Sequence, residues 1–413
     1  MRTGITIDGA NYIAWAPVRS SIRLVEADGG ANFVDVLLRN QSPGEGGQIV
    51  FRDAIPGTEQ DSLRLRLPGD GTPVDFFIAG KFSRPSEADK DAVIEAVEAN
   101  TGAVLSTTPL MVRIRKDAND LTAEERNRFL SALAILNDSG MGRFSDFRNM
   151  HTQAASPEAH GNAGFLPWHR VYILDLEREL QRIDPSVALP YWRFDEPAPN
   201  LFTSAFIGVP NEAGRVQFDP GNPLEYWWTD LAPGINRRPR FDTNTSPASV
   251  ISEAITLLLG GAGHLYANFL DMEIDPHGSA HTSFRLSISS ISTAAKDPLF
   301  FLLHANVDRL WAKWQWLRRR FDAADPATYP FLGSASDPGA TRVGHNLKDT
   351  MWPWNQATNP PRPVTAPGGT LANSPTATAP GPTPTVGDTI DYQGVISPGS
   401  HQGFGYDDVP FEF

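Results

Sequence analysis

Nine histidines occur among the 413 residues, and the first three are separated by equal intervals of nine residues. They are His151, His160 and His169. A second group follows further along the chain and consists of His277, His281 and His304. On a helix, the four-residue spacing of His277 and His281 points both imidazoles toward one ion. The other histidines show no such spacing and are interpreted as structural or surface residues; they are His264, His345 and His401.

The surroundings of the histidines decide between a structural role and metal binding. A single buried histidine is more often a hydrogen-bonded core residue than a ligand, and the HxxxH pair alone supports either interpretation. Aromatic side chains stand beside both groups, namely Phe165, Trp168, Phe300 and Phe301. Six histidines buried among them without an ion would leave too many polar atoms unsatisfied. We therefore predict that the two groups bind metal.

The ligand types select the metal. The sequence has no cysteine, which excludes thiolate zinc sites, iron–sulfur clusters and cysteine nucleophiles. A zinc peptidase needs a glutamate base directly after the first histidine of HxxxH, and Gly278 occupies that position. Two sets of three imidazoles favour copper over the oxygen-rich sites of di-iron bundles. Two copper ions with three ligands each keep open positions at which they can share one O2 molecule.

Helices are predicted to position most of these histidines. The segment LTAEERNRFLSALAIL begins with Thr122 and Glu125 in the arrangement of a capping box. WHRVYILDLEREL places His169 on the same face as apolar core residues and ends before Asp184. A further helix is predicted to open with Asp297 as its cap and Pro298 at its first position, and it carries His304.

The first 108 residues have a different sequence pattern and contain no histidine. Short runs such as SLRLRLP alternate between apolar and polar residues, and turns such as GDGTP and SPGEGG separate them. This pattern predicts an antiparallel β-sandwich or barrel. We expect residues 1–108 to form a β domain without assigned chemistry. Residues 109–413 are expected to form the catalytic domain, with a Pro- and Gly-rich C-terminal wrap.

Composition limits the partners and the location. The formal net charge of −13 argues against nucleic acid, whose phosphates require clustered lysine and arginine. No stretch approaches 18 uninterrupted apolar residues, so no membrane partner is expected. The first twenty residues have neither a signal-peptide core nor a twin-arginine pair. We expect a cytoplasmic protein, and this expectation is compatible with export by a separate partner.

The residues around both histidine groups resemble the tyrosinase, catechol oxidase and molluscan haemocyanin family of coupled binuclear copper proteins. HGNAGFLPWHRVYILDLE is similar to the first copper signature of that family, and DPLFFLLHANVD is similar to the second. The similarity extends over about residues 110–350 and the terminal GFGYDDVP. It implies an α+β chain, in which the added β domain precedes a mainly α-helical core built on an antiparallel four-helix bundle. It also implies one copper bound by each histidine group.

Four further positions acquire roles through this resemblance. Glu273 matches the glutamate that holds a water near the metals in plant members, and Gly278 replaces the asparagine that assists it. This replacement predicts impaired hydroxylation of monophenols and retained oxidation of diphenols. Thr282 replaces an arginine of some bacterial tyrosinases, so a carboxylated phenol loses a charge partner. Ile291 matches the residue that gates the substrate entrance over the first copper.

The resemblance therefore implies a copper-dependent polyphenol oxidase that converts o-diphenols into o-quinones with O2. Its partners would be small phenolic or catecholic molecules and O2, and a protein that delivers copper is compatible with them. Two alternatives use the same ligands: a haemocyanin-like oxygen-binding protein, and an o-aminophenol oxidase or biosynthetic enzyme acting on a specialised phenol. A single copper unit without repeats favours the oxidase over the carrier.

Overall fold

The computed structural model describes residues 1–8, 11–26, 32–152, 156–229, 232–340 and 342–413. These residues form two compact units. The first unit consists of Met1–Ile114, Ser374–Thr378 and Gln393–Phe413, and the second consists of Arg115–Asn373 and Ala379–Tyr392. The first unit therefore continues to Ile114, beyond the boundary at residue 108 that the sequence suggests. It also includes two segments from the C-terminal part of the chain.

Two β-sheets make up the first unit. Its described strands are β1 (Arg2–Ile7), β2 (Tyr12–Ile13), β3 (Val18–Glu26), β4 (Phe33–Asn40), β5 (Ile49–Arg52), β6 (Ser62–Pro68), β7 (Val74–Gly80), β8 (Ala92–Glu98) and β9 (Val104–Val112). One sheet has the order β1-β3-β7-β5 and the other has the order β2-β9-β8-β4-β6. The neighbouring strands are antiparallel except for β2 and β9.

A shared apolar core lies between the two sheets, so the predicted β fold is a sandwich. The alternation in β6 buries Leu63 and Leu67, while the side chains of Arg64 and Arg66 point away from the core. The same core contains Phe76 from the first sheet and other buried residues from both. Burial of one face of each sheet provides the main stabilisation of such a unit.

The C-terminal segment completes this sandwich. The indole Nε1 of Trp15 donates a hydrogen bond to the carbonyl of Tyr406 at 2.7 Å. Phe411 is buried in the same apolar core. In addition, strand β9 continues through residue 108 to Val112. These contacts explain why the compact unit extends beyond the predicted boundary: a strand crosses it, and distant residues fill the core.

Helices and short strand pairs form the second unit. The described helices are α1 (Ala123–Asn137), α2 (Phe144–Met150), α3 (Ser156–Ala159), α4 (Phe165–Ile183), α5 (Glu253–Thr256), α6 (Tyr266–Phe269), α7 (Ser279–Thr282), α8 (Ile291–Ala294) and α9 (Leu299–Arg318). The paired short strands are β10 (Val209–Pro210) with β11 (Val216–Gln217), β12 (Trp228–Thr229) with β13 (Ala232–Pro233), and β14 (Arg237–Pro239) with β15 (Phe284–Leu286). Helix α4 packs against α1, α2 and α9. Among the described helices, none combines the length and the apolar character needed to cross a bilayer.

The predicted helix starts are present in the structure. Thr122 and Glu125 form the capping box of α1, with the Thr122 hydroxyl and the Glu125 carboxylate each accepting a backbone N–H. Helix α9 begins at Leu299, one residue later than predicted, and the Asp297 carboxylate accepts the Leu299 N–H at 3.0 Å. The α+β class with a helical core is therefore confirmed.

The helical segment that carries His277 and His281 is interrupted. Between α6 and α7 the chain forms a 3-10 turn at Leu270–Glu273 and a π turn at Ile274–Gly278. Asp275 has φ −142° and ψ 120°, which is extended rather than helical backbone. A succession of short turns thus replaces the regular helix expected for the HxxxH pair.

A network of buried charges connects the long helices. The Arg115 guanidinium binds Glu177 of α4 at 2.7 Å and Asp308 of α9 at 3.2 Å. Asp308 also accepts a hydrogen bond from Arg170 at 2.5 Å, and Glu177 accepts the Leu189 N–H at 2.8 Å. Asp308 therefore pairs with two arginines. Removing one member of such a network leaves an uncompensated charge in the core.

Glu177→Ala is therefore expected to lower the free energy of unfolding by about 3–5 kcal/mol. The measurement is urea-induced unfolding of the purified protein. Glu124→Ala is the matched control because its carboxylate is 65% exposed and pairs with Arg128 on the surface of α1. The control is expected to change the free energy by less than about 1 kcal/mol. Equal losses in the two variants would contradict a stabilising role of the buried network.

Candidate metal centre

The first three histidines come together from three neighbouring elements. His151 follows the last residue of α2, His160 follows α3, and His169 lies in the first turns of α4. One nitrogen from each ring lies within 4.8 Å of the others. His151 and His169 are buried, whereas His160 is partly exposed. We call these residues the first trio.

The second three histidines form an equivalent group. His277 belongs to the π turn Ile274–Gly278, His281 to α7 and His304 to α9. Their ligand nitrogens also lie within 4.8 Å of one another. This second trio adjoins the first, because the rings of His169 and His304 stack with centroids 4.2 Å apart and an interplanar angle of 12°. The six predicted residues therefore form one cluster between α4 and α9.

Backbone carbonyls define the tautomer of four of these rings. The Nδ1 atoms of the four rings lie 2.7–3.0 Å from carbonyl oxygens, in the pairs His151–Ile291, His169–Phe165, His277–Glu273 and His281–Ile288. A carbonyl oxygen can only accept a hydrogen bond, so Nδ1 carries the proton in each ring. The Nε2 atom of each neutral ring then keeps a free lone pair.

The Nε2 atoms converge within each trio. Nε2 of His151 lies 3.2 Å from Nε2 of His160, and Nε2 of His304 lies 3.3 Å and 3.2 Å from those of His277 and His281. Nε2 of His169 is buried without a hydrogen-bond partner among the described residues. Two nitrogens bound tetrahedrally at about 2.0 Å to one metal ion are separated by about 3.3 Å. The residues thus fit a metal ion in each trio.

Burial keeps the imidazoles neutral. Loss of hydration, followed by the effect of neighbouring histidines, lowers the pKa of His151 to about 3 and that of His160 to about 2. Burial also lowers the pKa of His281 to about 4. It lowers the pKa values of His169, His277 and His304 well below the ordinary histidine value of 6.5. Neutral imidazole is the form that binds metals. The cluster is therefore in its ligand form at neutral pH.

Aromatic rings enclose the inner side of the cluster. The Phe300 ring lies 4.2 Å from His304 and 4.7 Å from His151, measured between centroids. Phe165 lies 4.8 Å from both His169 and His277. Together with Trp168 and Phe301, these rings are buried. They form an apolar wall on this side of the cluster.

A cavity of about 220 Å³ borders the cluster on its other side. It is lined by His151, His160, Glu273, His277, Gly278, His281, Thr282, Ser289, Ser290, Ile291 and Ala294. Its volume lies below the range of about 300–1,000 Å³ typical of drug-sized ligands, so it suits a molecule with one small ring. All four non-histidine residues predicted from the sequence border this cavity. A larger cavity of about 610 Å³, beside the end of α1, shares no residue with it.

Glu273 serves the site with both its backbone and its side chain. Its carbonyl accepts the Nδ1 proton of His277 at 2.8 Å, and its Oε1 accepts the Gly161 N–H at 2.7 Å. Burial raises the pKa of the Glu273 carboxyl to about 7, and the Gly161 hydrogen bond opposes this rise. A Cβ added at Gly278 would lie 3.3 Å from the Glu273 carbonyl oxygen. The cavity thus contains the predicted carboxylate without a side chain at position 278.

Several contributors to the site carry no signal in the sequence. The carbonyls of Ile288 and Ile291 and the N–H of Gly161 are backbone groups; every residue type supplies the carbonyl, and every type except proline supplies the N–H. The histidine outside both trios that is most fully buried is His345, and it has a structural role. Its Nε2 lies 3.0 Å from the Pro157 carbonyl, and its Nδ1 accepts the Gly164 N–H at 3.2 Å.

Comparison with known proteins agrees with this geometry. The family model described as "Common central domain of tyrosinase" matches residues 141–317. The tyrosinase of Streptomyces glaucescens is 32% identical over 271 residues, which cover 59% of this chain and 92% of that protein. The tyrosinase of Streptomyces antibioticus is 30% identical over 273 residues, covering 59% and 94%. A solved functional unit of octopus hemocyanin is 21% identical, with a TM-score of 0.47 and coverage of 73% and 69%.

The fold and the two trios define a protein with a helical core and a site suited to two metal ions. The chain belongs to the tyrosinase family. This finding confirms the resemblance carried by the two histidine signatures. The family is copper-binding, and the two trios suit a binuclear site.

The stability of the metal-free protein is expected to fall as the pH drops from 7 to 5. The six histidines bind protons only after unfolding, since their folded pKa values lie far below 6.5. Burial raises the pKa of Glu158 and of Glu273 to about 7 and the pKa of Asp175 to about 6. These carboxyl groups release protons on unfolding and offset part of this uptake. His345 and His401, whose pKa values burial also lowers, add to the uptake, and Asp297, whose pKa burial raises, adds to the release. The histidines outnumber these carboxyl groups, so unfolding binds protons on balance near pH 5.5. Urea unfolding at several pH values measures this slope, and stability that increases toward pH 5 would contradict it.

Proposed function

We propose that the two trios each hold one copper ion and that the protein oxidises o-diphenols to o-quinones with O2. The observation that carries this proposal is the convergence of histidine Nε2 atoms at 3.2–3.3 Å within each trio. Three imidazoles in each trio, with no carboxylate among the ligands, favour copper. Membership of the tyrosinase family supports the same metal.

The proposed ligands are the Nε2 atoms of the six histidines. Copper bound there would supply redox chemistry and O2 binding, so that two catechols and one O2 give two o-quinones and two waters. The chain itself fixes the ring orientations through the four Nδ1–H hydrogen bonds to carbonyls. The buried rings of Phe165 and Phe300 exclude water from the inner side of the cluster.

The cavity determines which phenols enter. Its volume of about 220 Å³ accommodates a single ring, and its described lining contains neither lysine nor arginine. The Thr282 hydroxyl donates to the Gly278 carbonyl at 3.0 Å, so this position offers no cation to a carboxylate. Ile291, 39% exposed, lines the entrance. We therefore propose uncharged or cationic catechols as substrates in preference to carboxylated ones.

Proton transfer within the cavity depends on Glu273. Oε1 of its carboxyl group is held by the Gly161 N–H, and the carboxyl group borders the cavity, where it can hold a proton. Gly278 supplies no amide beside it to orient a water. Diphenols release their protons more readily than monophenols do. The proposed activity is accordingly diphenol oxidation, with monophenol hydroxylation much slower.

A haemocyanin-like carrier would require the same histidines. Reversible binding of O2 needs no space for an aromatic ring beside the cluster. The cavity lined by Glu273 and Ile291 in the second unit therefore favours an enzyme. An o-aminophenol has nearly the size of a catechol, so the cavity can accommodate it as well.

The ligand assignment predicts the behaviour of His169→Ala. This variant is expected to bind one copper ion per chain instead of two and to lose at least 100-fold in catechol oxidation, because the first trio loses a ligand. Metal analysis and oxygen consumption with 4-methylcatechol measure both effects. His264→Asn is the control, since His264 lies outside both trios and asparagine tolerates its φ of 48°. Two bound copper ions in His169→Ala would remove this residue from the ligand set.

The substrate assignment predicts faster oxidation of 4-methylcatechol than of 4-methylphenol. Gly278→Asn is expected to increase the phenol-to-catechol rate ratio by about tenfold, because its amide can orient a water near Glu273. Gly278 has helical φ and ψ of −61° and −35°, so asparagine fits after a small shift of the Glu273 carbonyl. Equal wild-type rates on the two substrates would refute the argument from position 278.

A further inference from the structure

One short segment contacts an imidazole of each trio. This segment, Ser287–Ile291, lies between β15 and the first turn of α8, and we call it the carbonyl loop. The Ile288 carbonyl accepts the Nδ1 proton of His281 at 2.7 Å. The Ile291 carbonyl accepts that of His151 at 3.0 Å. The loop therefore orients one ring in the first trio and one in the second.

The other two oriented rings obtain their acceptors locally. His169 and His277 bond to the carbonyls of Phe165 and Glu273, four residues earlier in their own helical turns. Those acceptors are present whenever the turns form. The orientations of His151 and His281 depend instead on tertiary structure, namely on the conformation of the carbonyl loop.

The entrance to the loop is strained. Leu286 has φ 74° and ψ −144°, a region that favours glycine. Its Cδ1 would lie 2.5 Å from a Cβ at Gly214, so glycine is required at position 214 for this close approach. The Ser289 hydroxyl donates to the Leu286 carbonyl at 2.8 Å, and the Ile288 side chain is fully buried. Strain of this kind persists only where surrounding contacts fix the backbone.

Thr293 connects both ends of the carbonyl loop. Its hydroxyl donates to the Ser287 carbonyl at 2.7 Å, and its N–H donates to the Ser290 carbonyl at 3.0 Å. Thr293 is not part of the described cavity lining, and its hydroxyl bonds to the loop backbone. Any effect of this hydroxyl on the histidines therefore passes through the carbonyl loop.

We propose that Thr293 is a positioning residue for both metal sites, because its hydroxyl holds the carbonyl loop in the conformation that orients His151 and His281. This inference rests on the proposed function. Without the hydroxyl, the backbone strain at Leu286 favours movement of the loop. The two Nδ1–H groups then lose well-placed acceptors, and their rings rotate away from the geometry that directs Nε2 toward the metal.

The first test uses metal-free protein labelled with 15N-histidine. Signals are expected by NMR from the hydrogen-bonded Nδ1–H groups of His151, His169, His277 and His281, beside that of the Nε2–H of His345. Thr293→Val, which has nearly the same shape and no hydroxyl, should shift or broaden the signals of His151 and His281 and leave the others unchanged. Thr293→Ser should restore the wild-type spectrum. Unchanged signals of His151 and His281 in Thr293→Val would overturn the inference.

The second test measures copper affinity by competition titration. Thr293→Val should bind copper about tenfold more weakly at both sites, and Thr293→Ser should regain wild-type affinity. Thr256→Val is the matched control, because it removes a hydroxyl that donates to the Ser252 carbonyl at 3.0 Å in α5. Thermal unfolding of each metal-free variant separates a loss of folding from a loss of affinity.

The outcomes distinguish this inference from the proposed function. A wild-type protein that binds no copper would overturn the proposed function and, with it, the role of Thr293 at metal sites. A wild-type protein with two copper ions and an unchanged affinity in Thr293→Val would overturn only the positioning role. Equal losses of affinity in Thr293→Val and Thr256→Val would also overturn it, since a general structural effect would then suffice.

Discussion

The structure of the second unit depends on a set of imidazole lone pairs that outnumber the protons able to bridge them. Burial prevents the imidazoles from becoming protonated, and four Nδ1 protons are already donated to carbonyls. An Nε2–H of His160 or His304 can fully satisfy only one of these lone pairs, and Nε2 of His169 has no partner among the described residues, so each trio keeps a lone pair that a cation can bind. A proton is disfavoured there by burial, so a metal ion is the cation that this arrangement stabilises. The aromatic wall strengthens the effect because it removes competing water.

Rigid elements hold this unfavourable arrangement in place. His169 and His304 lie on α4 and α9, which the buried charges of Arg115, Glu177 and Asp308 connect. The remaining ligands stand on short turns or directly after them, where the backbone can place a ring at an angle that a regular helix would not allow. The two long helices α4 and α9 thus hold His169 and His304 in fixed positions, and the irregular segments place the other imidazoles around them.

The sequence predicted much of this site because its chemistry resides in side chains with strong spacing. The two histidine groups, the cap at Asp297 and the capping box of α1 all follow from local patterns. The interruption at Asp275 and the carbonyl loop could not be predicted, since backbone conformation and carbonyl direction leave no mark on residue type. The extent of the β unit was missed for a related reason: Phe411 reaches the core from a segment without strand periodicity.

The β unit combines segments from distant parts of the chain, which affects its folding during protein synthesis. The ribosome releases Met1–Ile114 early, but Gln393–Phe413 emerges only after the second unit has been synthesised. Until then the nascent sandwich lacks Phe411 and the Tyr406 acceptor of Trp15, and part of its apolar surface is uncovered. The second unit, encoded between these segments, can fold while the first is still incomplete. A chaperone that shields exposed β-strands during translation would therefore benefit this protein most in its N-terminal portion.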